Sequence, residues 1–298
     1  MNSPTIIQPN PIAGFPSEIA NLRVAITGAH GFIGSRLVTR LSAMGISPIV
    51  LSGDIRQEKS FDASFDLLFH LAGAVPADFA RRNDVARASN LEGTANALAA
   101  CLRCNARLVF MSTSGVYRLP SDVPLRESAP LEPVSEYAET KLLGEQMCRE
   151  AAADLKNGVT VLRLFNPYGL GQSTDLLIGY VINTLRANQR VEIQTPDAER
   201  DFVHISDVVE ALLLSARRNP GMQIYNIGSG RTHSIREVAN LIGERIEDAG
   251  PIDFYSKEDA LGRIAADTTL ARRKLGWSPQ VTLTDGLDEA IGLKPSIT

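Results

Sequence analysis

Cysteine is nearly absent: three residues in a chain of 298, at Cys101, Cys104 and Cys148. That count excludes a disulfide-stapled scaffold, and an odd number fits a reducing compartment. Cys101-x-x-Cys104 has the spacing of a redox pair or half a zinc site, but no second pair exists and no His is near in sequence. It lies in ANALAACLRCNARLVF, where a helix runs into a strand, and reads as two small helix residues, with no metal expected. An excess of one charge is lacking too. Thirty Lys and Arg oppose 34 Asp and Glu, net −4, with no basic block, which excludes a nucleic-acid footprint. No apolar run approaches the roughly 20 residues that span a bilayer. Aromatic residues are only 6%, with one Trp, and give no sign of an aromatic platform for carbohydrate. The start, MNSPTIIQPNPIAGFPSEIANL, has no charged region followed by an apolar core, so residues 1–21 are expected to be a leader and not a signal peptide. These absences leave a cytoplasmic protein with neither nucleic acid nor membrane as partner.

What is present is an alternation of apolar runs and amphipathic segments. LRVAITG (22–28), SPIVLSG (47–53), FDLLFHLAG (65–73), ARLVFMSTS (106–114) and GVTVLRLFN (158–166) read as buried strands. Helices are predicted over 32–45, 84–104 and 136–155. Strand, helix and strand recurring in this way predict an α/β fold, a doubly wound parallel sheet covered on both faces. After residue 166 the rhythm changes: LLIGYVINTLRANQ is a helix, RVEIQT a short strand, RDFVHISDVVEALLLSARR a strand and helix, QIYNIGSG a strand. Ser234-x-x-Glu237 marks a further helix start. The expected organisation is a dinucleotide-binding Rossmann domain over 22–166, with returns from about 201–228, and a smaller substrate-binding lobe drawn mainly from 167–298.

TGAHGFIGSRL carries Gly28-x-x-Gly31-x-x-Gly34 directly after a strand and opening a helix. Glycines there permit a tight turn, close approach of backbone to a pyrophosphate, and close packing of helix on strand. The helix N-terminus offers free N–H groups and the positive end of its dipole to phosphates. Such folds select NAD with an acid at the end of the second strand. Here Ser52 holds that end, with Asp54 two residues on and Arg56 after it as a candidate for a 2′-phosphate, so NAD and NADP both remain open.

Tyr137-x-x-x-Lys141 places a phenol and an ammonium one helical turn apart on one face. An unperturbed phenol has a pKa of about 10, and a neighbouring ammonium favours the phenolate. The Lys141 expectation is therefore a lowered Tyr137 pKa together with a hold on cofactor ribose. Thr113 or Ser114, at the end of the preceding strand, can hold a substrate oxygen.

Taken in order, these pieces resemble the extended short-chain dehydrogenase/reductases, the nucleotide-sugar epimerase, dehydratase and reductase group, from Leu22 to Gly286. The resemblance implies that TGAHGFIGSRL, with Gly28, Gly31, Phe32, Ile33 and Gly34, holds the cofactor. Ser52, Asp54, Ile55 and Arg56, the strand end Leu71, Ala72 and Gly73, and Asn90 would also lie on the cofactor side. In STSGVY it implies Thr113 as the catalytic hydroxyl, with Tyr137 and Lys141 completing the set. On the substrate side it implies Ser114, Asn166 in LRLFNPYGLGQ, Arg200 in RDFVHISDVVEAL, and Lys257 and Arg263 as phosphate-neutralising candidates. The activity implied is reversible hydride transfer with NAD or NADP at a sugar carbon of a nucleotide-diphosphate sugar, at C4, by a 4-epimerase or 4-keto reductase. A homodimer formed through two long helices is implied as well.

Three features depart from that pattern. The segment between the second strand and FDLLFHLAG is short, as though a helix and strand were trimmed. Ser114-Gly115 follows Thr113 where a 4,6-dehydratase would carry Asp-Glu, which argues against water elimination. Lys257-Glu258-Asp259-Ala260 replaces an Arg-Pro-Gly-Asp phosphate motif. The rival reading from another class is a non-catalytic dinucleotide sensor or scaffold, which leaves the retention of Thr113, Tyr137 and Lys141 unexplained.

Overall fold

The computed structural model describes residues 19–121, 123–255 and 262–296. In chain order the first half runs β1 (Val24–Thr27), α1 (Phe32–Ala43), β2 (Ile49–Leu51), β3 (Leu67–His70), α2 (Pro76–Cys104), β4 (Arg107–Thr113), α3 (Glu136–Ala151) and β5 (Val159–Leu164). The second half adds β6 (Asn166–Tyr168), α4 (Leu177–Arg186), β7 (Val191–Ile193), β8 (Glu199–His204), α5 (Ile205–Ser215), β9 (Met222–Ile227), β10 (Thr232–Ser234), α6 (Ile235–Gly243), β11 (Ile252–Phe254) and α7 (Leu283–Ala290).

Six strands form one sheet, all parallel, in the order β2-β1-β3-β4-β5-β9. Buried on both faces, these strands read as continuous apolar runs, while single residues still alternate between the two sides. In β4, Val109 and Met111 join the core under α1 and α5, with Leu37, Leu41 and Val208. Leu108 and Phe110 join the opposite core under α2 and α3, with Ala97, Cys101 and Cys148. Each fully buried Leu or Val contributes about 1.5–3 kcal/mol relative to exposure, so both helical layers are held by apolar burial, with no disulfide among the described residues.

The trimmed segment is visible in the strand order. A regular dinucleotide fold places one more strand outside the second. Here β2 is the edge, and only a 3₁₀ turn at Glu58–Phe61 separates it from β3. The chain leaves β1 for β2 on one side and returns to β3 on the other, so the switch point lies between the C-terminal ends of β1 and β3.

The remaining strands form a three-stranded sheet, β10-β8-β6, and a two-stranded one, β11-β7. They close a separate apolar cluster with α4, α6 and α7, including Tyr168, Ile182, Leu185, Val238, Ile242 and Leu287. Ser234 caps α6 as the sequence predicts, its Oγ accepting the Glu237 N–H at 3.1 Å. One helix differs from expectation. The segment expected to begin near residue 84 begins at Pro76 and is broken at Arg82, whose backbone is non-helical (φ −152°, ψ 72°).

Candidate active site

The turn joining β1 to α1 sits at the switch point. Gly28 has φ +71°, and a Cβ there would stand 2.7 Å from the Ala72 amide nitrogen and 2.8 Å from the Leu71 carbonyl carbon. A Cβ on Gly34 would collide with the Gly28 carbonyl oxygen. The glycine turn is therefore pressed between the HLAG strand end and its own helix, and any side chain would push them apart. Gly31 is the N-cap of α1; no side chain closes the helix and no acid occupies its first turn. Phe32 and Ile33 anchor that turn on the core. An uncapped N-terminus of a 12-residue helix behind a close-packed glycine turn fits a pyrophosphate.

Beside it a cleft of about 580 Å³ opens, bounded by Gly53–Ile55, Ala72–Ala74 and the first turns of α2 with Asp78, Arg81 and Arg82. Asn90 holds one wall: its Oδ1 accepts the Ala74 N–H at 2.8 Å, and its Nδ2 donates to Thr140 Oγ1 of α3 at 2.9 Å. A Cβ on Gly73 would meet Asn90 Oδ1 at 2.8 Å and Lys141 Nζ at 3.5 Å, so these three residues form one cluster. Ser52 follows β2 directly and is exposed. Asp54 and Arg56 engage each other: Arg56 Nε lies 2.9 and 3.0 Å from the two carboxylate oxygens, and its hydrogen bonds hold the Asp54 carboxyl at about 2. Two nitrogens of the Arg56 guanidinium are thus turned to Asp54, a coupling that neither residue shows alone in the sequence.

Thr113 ends β4, and α3 starts at Ser135, whose Oγ accepts the Ala138 N–H at 3.3 Å. This start sets Tyr137 and Lys141 in the first turns, facing the strand end. Thr113 Oγ1 accepts the Gly115 N–H at 3.2 Å, and its hydroxyl acts on the Tyr137 phenol to favour the ionised form. Lys141 is buried, and its Nζ donates to the Met111 carbonyl at 3.0 Å, 5.2 Å from the Phe110 ring centre. Burial pushes the Tyr137 phenol up to about 12, opposed only by the Thr113 hydrogen bond. Burial also lowers Lys141 to about 8. The expected lowering of Tyr137 by Lys141 is therefore corrected: the ammonium is directed to the Met111 carbonyl, and desolvation dominates the phenol. Ser112 is turned away, donating to the buried Glu145 Oε1 at 2.6 Å. Ser114 opens the following 3₁₀ turn and is partly exposed.

Thr113 pairs in register with Leu164 of β5, and Asn166 lies two residues beyond, which carries the chain from this strand end into the smaller sheet. Asn166 Nδ2 donates to the Asp201 carbonyl at 2.9 Å. Arg200 Nη1 donates to the carbonyls of Glu199 at 2.9 Å and Gly262 at 2.7 Å. Arg263 pairs with Glu199 at 3.2 Å and donates to Thr232 Oγ1 at 3.2 Å. The fold thus gathers Asn166, Arg200 and Arg263 around the start of β8. Lys257 lies outside the described residues. Cys101 and Cys148 are buried free thiols, and no group of three or more metal-ligating residues occurs among the described residues.

Comparisons with known proteins establish the family. Residues 24–228 match the model of the NAD dependent epimerase/dehydratase family. The chain belongs to that family. It is 31% identical to a UDP-glucose 4-epimerase of Azospirillum brasilense, over 90% of each chain. It is 29% identical to a UDP-glucuronic acid decarboxylase of Xenopus tropicalis, over 95% of this chain and 75% of that one. Among solved structures, MoeE5 in complex with UDP-glucose and NAD superposes with a TM-score of 0.81 at 31% identity, covering 90% of this chain and 97% of that one. RMD from Pseudomonas aeruginosa complexed with NADPH gives 0.81 at 25% identity, over 91% and 97%. The matching family is NAD dependent, and those two structures hold NAD and NADPH.

Some residues that shape the site of this family member escape sequence reasoning. Asp201, fully buried, accepts hydrogen bonds from the Ser229 N–H and hydroxyl, the Gly230 N–H and the Ala266 N–H at 2.6–3.0 Å, fixing the GSG turn behind β8. Its signal was the acid after Arg200, legible only once the turn is seen to fold onto it. His70 sits 2.8 Å from Thr27 Oγ1, which also accepts the Ala72 N–H, and burial depresses its pKa to about 3. Neutral His70 and Thr27 thereby hold the HLAG strand end on which Gly28 rests.

Proposed function

We propose that the protein is an NAD(P)-dependent nucleotide-sugar oxidoreductase acting by reversible hydride transfer at C4 through a 4-keto sugar, as a 4-epimerase or a 4-keto reductase. The observation that carries this reading is the meeting of Thr113, Tyr137 and Lys141 at the end of β4, beside the Gly28–Gly34 cradle. Bound nicotinamide would supply the hydride acceptor and donor. Gly28, Gly31 and Gly34 would carry its pyrophosphate, while Asn90 and Lys141 stand by the Gly73 strand end where ribose would lie. Tyr137, protonated at neutral pH, is suited to give its proton to a keto oxygen, and its phenolate is the form that would take one from the sugar hydroxyl. Thr113 is placed to hold that same oxygen. Lys141 remains charged at neutral pH and offers its remaining donors to ribose hydroxyls.

The absence of a carboxylate in the Ser114–Val116 turn argues against elimination of water, since that step needs an acid and a base beyond Tyr137. Asn166, Arg200 and Arg263 are proposed to meet the nucleotide diphosphate. Denaturing the purified protein and identifying any released nucleotide by mass spectrometry separates the two activities. Stoichiometric NAD indicates a cofactor kept through the cycle, as an epimerase requires. Empty protein, or bound NADP(H), indicates a cofactor exchanged at each turnover, as a reductase requires.

The helices α2 and α3 pack side by side and leave Leu102 exposed on α2. They are proposed to bury those faces in a homodimer. Sedimentation equilibrium should return twice the chain mass of 32.2 kDa; a mass of one chain ends that proposal.

A further inference from the structure

α2 is two pieces, and they are tied to different neighbours. Beyond the break at Arg82, the long piece is bound to α3: Asn83 to Glu136, Arg87 to Glu139 at 3.3 Å, and Asn90 to Thr140 at 2.9 Å. Before the break, the Pro76–Arg81 turn is held differently. Arg81 pairs with Asp175, in the segment before α4, at 3.0 Å, and Asp78 turns back to accept the Val75 N–H at 2.9 Å. Between these two, Phe79 stands against Tyr137 with ring centres 6.1 Å apart and planes at 73°, an edge-on contact.

We infer that Phe79 is a positioning residue for proton transfer: carried on this separate turn, it holds the partly buried Tyr137 ring against Thr113 and limits the access of water to the phenol. The inference rests on the reading of Tyr137 as the proton donor and acceptor. A backbone broken at Arg82 lets the turn be aimed at α3 independently of the long helix that follows. Removing the Phe79 ring would open the phenol on the side where no other described residue contributes an aromatic contact. The charged or titratable neighbours are few. Lys141 stands one turn along α3 but donates to Met111, Thr113 faces Tyr137 from β4, and the 76–81 turn directs Asp78 and Arg81 elsewhere. Desolvation therefore sets the ionisation of the phenol, in the direction already described.

The test uses the full chain with NAD present and ¹³C-ring-labelled tyrosine, the Tyr137 resonance being assigned by its loss in Tyr137→Phe. In the wild type this resonance should stay unchanged through the alkaline range in which the protein remains folded. In Phe79→Ala it should begin to titrate about one pH unit or more lower, because water reaches the phenolate. Phe79→Leu should restore dryness but not the ring-current shift, and NAD affinity should stay within about twofold in both variants because Phe79 does not line the glycine cradle. An unchanged Tyr137 titration and chemical shift in Phe79→Ala overturns the inference. So does a lowered titration in which Phe79→Leu keeps the full wild-type shift, since no ring contact then exists. Failure of Tyr137 as the proton donor would show separately, as undiminished turnover in Tyr137→Phe.

Discussion

Tyr137→Phe is expected to lower turnover by about 10²–10⁴-fold, the range that a positioned proton donor contributes, while the nucleotide still binds. The substitution removes one hydroxyl and keeps the ring that Phe79 contacts, so packing is preserved. Lys141 is held by the Met111 carbonyl and not by the phenol, which leaves the cofactor side undisturbed. Direction matters for the pH profile. With burial holding the phenol near 12, the protonated form dominates at neutral pH and serves reduction of a keto sugar directly. Oxidation of the hydroxyl needs the phenolate, so its rate should rise with pH toward that value, while reduction stays level. Steady-state rates in both directions across pH check this, and full residual turnover in Tyr137→Phe would end the assignment.

Arg163→Met is expected to destabilise the protein by about 3–5 kcal/mol, the cost of leaving a buried charge without its partner. Arg163 and Glu145 are almost wholly inaccessible, joined at 2.7 Å between Nη2 and Oε2 and at 3.0 Å between Nε and Oε1. Ser112 donates to the same carboxylate, and Arg163 Nη1 donates to the Glu127 carbonyl at 3.0 Å. The guanidinium also lies 4.8 Å from the Tyr117 ring centre, and the Tyr117 hydroxyl donates to Asn226 Oδ1 at 2.6 Å. The network links β4, α3, β5 and β9 immediately behind Thr113. Replacing both charges, as Arg163→Met with Glu145→Leu, should recover much of the loss, because an apolar pair removes the uncompensated carboxylate. Urea unfolding of the two variants decides it. A single-variant loss below about 1 kcal/mol would mean that water or rearrangement satisfies Glu145, contrary to the burial seen here.

The glycine turn was legible without a structure because its requirement is local: a strand before, a helix after, and no room for a Cβ at Gly28 or Gly34. The parallel sheet was legible for a similar reason, since strands covered on both faces need continuous apolar runs, and VAIT, LLFH and VTVLRL are such runs. The spacing of Tyr137 and Lys141 put them on one helix face, and the stretch before FDLLFHLAG showed as short against the family pattern.

Other features depend on partners far away in the chain, and no local pattern encodes them. The pKa of the Tyr137 phenol is raised and not lowered because tertiary packing desolvates it in part and because Lys141 finds the Met111 carbonyl on β4. Phe79 falls before the helix predicted from residue 84, and its place against Tyr137, on the turn before the break at Arg82, shows only in the fold. Ser112 and Thr113 are adjacent and chemically alike, yet the alternation of β4 sends one to Glu145 and the other to Tyr137. Sequence by itself determined the fold class and named candidate residues for the chemistry, because periodicity and glycine sterics act over a few positions. The tertiary structure decided their ionisation and orientation, because desolvation and long-range hydrogen bonding exist only once β4, α2 and α3 are packed together.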